Sequence, residues 1–259
     1  MRMLATIHEL RLHLGMETSD TSSNARLRSA LEAATAAIER AAGRSFIPQQ
    51  ATLAHDVQLN DLREIALRAD LLTLEALLNG DGQALDLAQV LHLPGALRLT
   101  GGAYFTYDET PLRAVQVTGL WGTHDDRAHA FRDSGDSVQD ALNATATSFY
   151  VSSAEGADTL RITPRFQVGH LLRIGDELLW LLALDAGTNT LYVQRGAQGT
   201  MPSEHEAGTP IAIYQPPRDV HRLCLRWAAW LYREPDAAQL AEPFALADAV
   251  ACWQRVRVA

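Results

Sequence analysis

The chain has 259 residues, 47% of them hydrophobic and 20% charged, a balance that supports a packed core and argues against wholesale disorder. Its net charge of −9 argues against a general affinity for nucleic acid, which needs excess cation to displace condensed counterions. No run of about 18 uncharged apolar residues occurs, so no membrane-spanning helix is expected, and His8, Glu9, Arg11 and His13 interrupt the first 15 residues in a way no signal peptide tolerates.

Thr6 to Glu9 reads T-I-H-E, the spacing of a capping box, and predicts a first helix with Ile7, Leu10 and Leu14 on one face and Gly15 at its end. A polar loop over 18–24 follows. Leu27, Leu31, Ala34, Ile38 and Ala41 recur at steps of three and four and predict a second helix that stops at Gly43.

Residues 51–122 read as short strands separated by turn signals, with Asn79-Gly80-Asp81-Gly82 as the strongest turn. Residues 123–143 are polar and read as a linker. Residues 144–214 hold six apolar runs spaced by roughly 8–15 residues, the pattern of a small antiparallel β-barrel-like module. After Pro216-Pro217, Val220, Leu223, Cys224, Trp227 and Leu231 define the apolar face of a third helix, with Arg222, Arg226 and Arg233 elsewhere on it. One more short helix is expected over 245–254.

The chemistry-bearing patterns are sparse. The chain contains no lysine, so a GxxxxGK[ST] phosphate loop is excluded, and neither GxSxG nor HExxH occurs. Cys224 and Cys252 lie in no CxxC pair and read as small buried hydrophobes. His124, Asp125, Asp126 and His129 are the best metal-like cluster, and a metal-dependent hydrolase would use His124, Asp126 and His129, but their spacing fits no helix face. Asp176 and Glu177 are adjacent acids, which a strand would point to opposite faces. Arg195-Gly196 and Gly199-Thr200, followed by His205, have the composition of an anion site built on backbone amides. The expectation is a protein that is not an enzyme and holds no cofactor and no metal. Trp227 is expected in the core, Trp230 at a partner contact.

Three stretches in order resemble the head–tail connector (adaptor) family of tailed bacteriophages and gene transfer agents. They are the capping-box helix with the following helix that ends Ala36-Ala37-Ile38-Glu39-Arg40-Ala41-Ala42-Gly43-Arg44-Ser45-Phe46; Leu77 to Gly82 with the later Val117 to Gly122; and Gly175-Asp176-Glu177 through Val193 to Thr200 and on to His205 to Pro210. The resemblance covers about residues 3–233. It implies an α+β fold: a helical adaptor body over 1–143 and 216–259 with a short-stranded β region, carrying the β module of 144–215 as an insert. It further implies a virion neck protein, made in the host cytoplasm. Such a protein forms a ring of its own copies, dodecameric in the family's usual form, between the portal ring and the next neck or tail-completion protein. The ring extends the channel for passing duplex DNA without binding it specifically, and no membrane is involved. Portal docking would fall on Phe244, Leu246, Val250, Trp253 and Val256. The alternative is a tail or baseplate binding module whose insert recognises a surface glycan through Tyr150, Trp180 and Tyr192.

Overall fold

The computed structural model describes residues 1–17, 20–234 and 245–254. Its contacts divide the chain into two compact units, Met1–Ile47 with Ala128–Ala259, and Pro48–Arg127.

In the first unit, α1 (Ile7–Leu14) starts at the expected capping box: Glu9 N donates to Thr6 Oγ1 at 3.1 Å and Thr6 N donates to Glu9 Oε2 at 2.7 Å. Gly15, at φ 70°, ends it in a left-handed conformation that costs a glycine nothing. Helix α2 (Asn24–Ala42) buries Leu27, Leu31, Ala34 and Ile38 as the periodicity requires, with Ala42 rather than Ala41 closing the face. It runs antiparallel to α3 (Arg218–Arg233). Arg26 lies 4.5 Å over the Tyr232 ring near one end of the pair, while Thr35 meets Cys224 near its middle.

The bulk of this unit is a six-stranded antiparallel sheet. Its strands are β7 (Phe131–Ser137), β8 (Ser148–Tyr150), β9 (Leu171–Ile174), β10 (Glu177–Asp185), β11 (Thr190–Gln194) and β12 (Pro210–Tyr214), in the order β7-β12-β9-β10-β11-β8. The sheet curls until its edge strands meet, where Gln139 N donates to Tyr150 O at 3.0 Å. Phe149, Phe166, Leu172, Leu179, Leu191 and Ile213 are among the residues that fill the inside.

The second unit carries two three-stranded antiparallel sheets. One has β1 (Gln49–His55), β3 (Leu71–Leu78) and β6 (Val115–Trp121) in the order β1-β6-β3; the other has β2 (Glu64–Ala66), β4 (Val90–Leu93) and β5 (Ala96–Leu99) in the order β2-β5-β4. Ile65, Leu77, Leu97, Phe105, Val117 and Trp121 belong to its core.

The expected helical body is overturned: three sheets form the frame, and the helices are few and short. The physical reason is visible in β7. Its sequence, FRDSGDS, reads as polar linker, yet Ser134 and Asp136 are its inward residues, both buried. The period of two is present but written in polar side chains that hydrogen bonds satisfy, so hydropathy does not reveal it. The six-stranded sheet therefore draws a strand from ahead of residue 144, and the stretch that interrupts the first unit in sequence is Pro48–Arg127.

Candidate functional site

The three stretches that carry the family resemblance share one device: a buried or half-buried polar side chain that binds the chain's own backbone. At the exit of α2, Gly43 turns left-handed and the Glu39 carboxylate accepts from Phe46 N at 2.9 Å, Ser45 Oγ at 3.1 Å and Arg2 at 3.1 Å. In the turn 79–82, buried Asn79 accepts from Thr106 N at 2.8 Å and donates to Tyr104 O at 3.1 Å. In the β module, Glu177 does the same on a larger scale.

Arg195 donates two parallel bonds to Glu177, Nε to Oε1 at 2.8 Å and Nη2 to Oε2 at 2.7 Å. Gly196 N adds a third at 2.9 Å, Ser203 N a fourth at 3.2 Å, and His205 Nε2 lies 2.8 Å from Oε2. The other guanidinium hydrogens of Arg195 reach Asn143 O, Ala146 O and Ser203 O. Burial acts to raise the Glu177 pKa, and the bonds from Arg195, Gly196 and His205 outweigh it and hold the carboxyl below its ordinary value. Of the residues read from sequence as an anion site, Arg195, Gly196 and His205 engage an anion, the protein's own Glu177, while Thr200 bonds Leu178 N and Ala197 O instead. Asp176 points out to solvent, so the adjacent acids do not act together.

Sequence reasoning missed two further clusters. Asp136 accepts from Arg165 at 2.8 Å, from Ser152 N and Oγ at 3.0 and 2.8 Å, and from Ser153 N at 3.1 Å, tying the start of the 152–165 loop to β7. Elsewhere α1, α3 and the loop before β9 meet at Glu9, His221 and His170. His221 Nε2 lies 3.1 Å from Glu9 Oε2. Burial would raise the Glu9 pKa, but its hydrogen bonds and the charge of His221 bring it down to about 2. His170 accepts from Gln167 N at Nδ1, and burial, together with the charge of Arg132, lowers its pKa to about 3. The capping-box glutamate was the only sequence signal for this cluster, and its partners lie far along the chain.

The metal-like cluster is not assembled. His124 Nδ1 accepts from Asp126 N at 2.9 Å, while Asp126 and His129 are exposed. Among the described residues no group of three or more His, Cys, Asp or Glu is arranged to hold a metal ion. Cys224 is buried, as expected, with burial pushing its thiol up to about 12; Cys252 is exposed, against expectation, because the short α4 (Leu246–Ala249) and the turn after it cover only one side.

Of the expected docking residues, Phe244 and Val256 lie outside the described residues. Leu246 and Val250 are buried where α4 packs on α2. Trp253 meets Phe46 edge-on, with ring centroids 5.4 Å apart, and its indole donates to Asp219 Oδ2 at 2.9 Å. Trp230 is half-buried against Trp227. The tail thus covers part of its own body. Of the residues weighed for glycan stacking, Trp180 is core, while Tyr150 and Tyr192 are exposed at diagonal positions on one face of the β8–β11 pair.

No protein-family model matches the chain, and no curated protein matches it. One solved structure that does match is described as the neck of an empty GTA particle computed with C6 symmetry. It is 18% identical over 98% of this chain and 90% of that one, with a TM-score of 0.35. No helix among the described residues is long and apolar enough to cross a membrane.

Proposed function

We propose that this chain is a structural neck protein of a tailed phage or gene transfer agent. Copies of it form a ring between portal and tail that continues the DNA channel, with no catalytic role, and the C-terminal segment faces the portal. The observation that supports the reading is the shared design of the three family-like stretches. Glu39, Asn79 and Glu177 are engaged by the chain's own backbone and side chains, so these stretches set the fold rather than present groups to a substrate.

The test is co-sedimentation of the full chain with isolated portal rings. Saturable binding is expected. Aspartate at Phe244 and Val256 together is expected to abolish it, because a docked apolar side chain replaced by a carboxylate carries the desolvation cost into the interface. Unchanged binding in that variant removes the docking assignment, and no binding by the parent chain removes the neck reading.

A further inference from the structure

The six-stranded sheet turns two tyrosines to solvent side by side. Leu191 and Val193 of β11 and Phe149 of β8 belong to the core inside the sheet, so Thr190, Tyr192, Ser148 and Tyr150 point outward. Strand pairing sets them in two rows. Ala183 of β10, Tyr192 and Ser148 form one; Asp185, Thr190 and Tyr150 form the other. Tyr192 is 44% exposed and Tyr150 is 52% exposed. The two stand diagonally across the β8–β11 pair, about 7–8 Å apart, a separation that lets aromatic rings adjoin.

Each ring has small row neighbours: Ala183 and Ser148 beside Tyr192, and Thr190 beside Tyr150. The rim is polar and carries hydrogen-bonding groups. Exposed Thr188 shares a hydroxyl bond of 2.7 Å with Thr190. The exposed Asp185 carboxylate accepts from Gly187 N at 2.9 Å and Thr188 N at 3.3 Å, and Gln194 is exposed two residues beyond Tyr192. Leu182, the extra residue where the β10–β11 register shifts, adds an aliphatic margin. Residues 147–152 and 182–194 contain no arginine, and the chain has no lysine.

Exposed tyrosines on paired strands offer rigid, amphipathic contact area at little entropic cost. The surroundings decide what they contact. A single-stranded nucleic acid would stack its bases there but needs cations along its backbone, and these strands carry none. A stable protein interface buries about 800 Å² on each partner. Six outward positions, at about 4.8 Å between strands and 6.7 Å between outward residues of one strand, cover about 200 Å². That area suits a short run of sugar rings. A pyranose presents an apolar C–H face to an aromatic ring and a rim of hydroxyls to hydroxyl, amide and carboxylate groups. We infer that this face binds a neutral oligosaccharide, with Tyr150 and Tyr192 stacking on neighbouring sugar rings and Asp185, Thr188 and Gln194 at the rim to meet their hydroxyls. This binding is independent of the neck reading.

The experiment titrates the full chain by calorimetry with chitotetraose, cellotetraose and maltotetraose, and with dextran sulfate as a polyanionic counterpart. Saturable binding of at least one tetrasaccharide is expected. Tyr150→Ala and Tyr192→Ala should each weaken it about 3- to 10-fold, and the two together should remove it. Phenylalanine at both positions keeps the rings and should stay within about 3-fold of the parent. The thermal midpoint of every variant should stay level, because the replaced side chains are exposed. No binding of any tetrasaccharide overturns the proposal, as does binding that survives the double alanine variant. Tighter binding of dextran sulfate, lost in that variant, assigns the face to a polyanion instead. The double alanine variant should also co-sediment with portal rings as the parent does; if it does not, the face belongs to the particle's assembly and the sugar site falls. Sugar binding by a parent chain that fails to bind portal rings keeps this site and sinks the neck reading.

Discussion

Glu177 and Arg195 form a bidentate ion pair whose side chains are only 0% and 5% exposed, and the pair closes the loop between β11 and β12 onto the start of β10. Breaking one side leaves a buried charge without its counter-ion. Glu177→Gln is expected to cost about 3–5 kcal/mol, read as a lower urea midpoint. Glu177→Leu with Arg195→Met is expected to recover much of that loss, since a matched apolar pair leaves no orphaned charge.

Acid should loosen the first unit in two stages, and the sign follows from the two depressed values. His170 is held near 3 against an ordinary 6.5, so the unfolded chain takes up its proton first. Its contribution is present above pH 6.5 and is lost as pH falls from there toward 3. Glu9, near 2 against 4.5, adds a second loss that begins below pH 4.5. Burial acts most strongly against the protonated imidazole of His170, Arg132, His221 and His8 add to it, and Glu9 opposes it. The measurement is the urea midpoint from pH 8 to 3. His170→Asn, whose amide oxygen can still accept from Gln167 N, should flatten the stretch between pH 6.5 and 4.5; a decline of unchanged size in that variant contradicts the assignment.

What the sequence disclosed and what it hid follow from how each element encodes its burial. Helices α1 and α2 were legible because Thr6, Glu9, Gly15 and Gly43 mark their ends and Leu27, Leu31, Ala34 and Ile38 repeat at helical spacing. Strand β7 was not, because its buried positions are Ser134 and Asp136. The Glu177 hub was half legible. Glu177, Arg195-Gly196 and His205 each stood out, but nothing local connects residues 18 and 28 positions apart; the pairing of β10 with β11 brings Arg195 to Glu177, and the backbone bridge to Leu142 holds His205. In the tail, Leu246 and Val250 bury against the α2 face, a long-range contact that no local pattern announces.

That tail makes a further prediction. Leu246→Ala removes a buried side chain and is expected to cost about 2 kcal/mol or more. Trp253→Phe keeps an edge contact with Phe46 but loses the indole bond to Asp219, for about 1 kcal/mol. Chemical denaturation of the two variants should rank them in that order; the reverse order would mean that α4 contributes less to the body than the single hydrogen bond.

Gly119 tests the second unit. It sits inside β6, paired with Ala51 on one side and Leu74 on the other, and a Cβ there would lie 2.1 Å from Thr73 O and 3.1 Å from Leu71 Cδ1. The nearer obstacle is backbone, which cannot rotate away, so the central strand and β3 must separate. Gly82 offers the contrast: it has open space around it but a φ of +78°, so an alanine there meets only backbone strain of about 1 kcal/mol. Gly119→Ala is therefore expected to cost more than Gly82→Ala, by about 1–2 kcal/mol. Its effect should extend to faster amide exchange along β1 and β3, because both strands take their hydrogen bonds from β6. Equal costs at the two sites, with exchange in β1 and β3 unchanged, would show that the sheet absorbs the methyl group through the register shifts already present between Leu71 and Ala76.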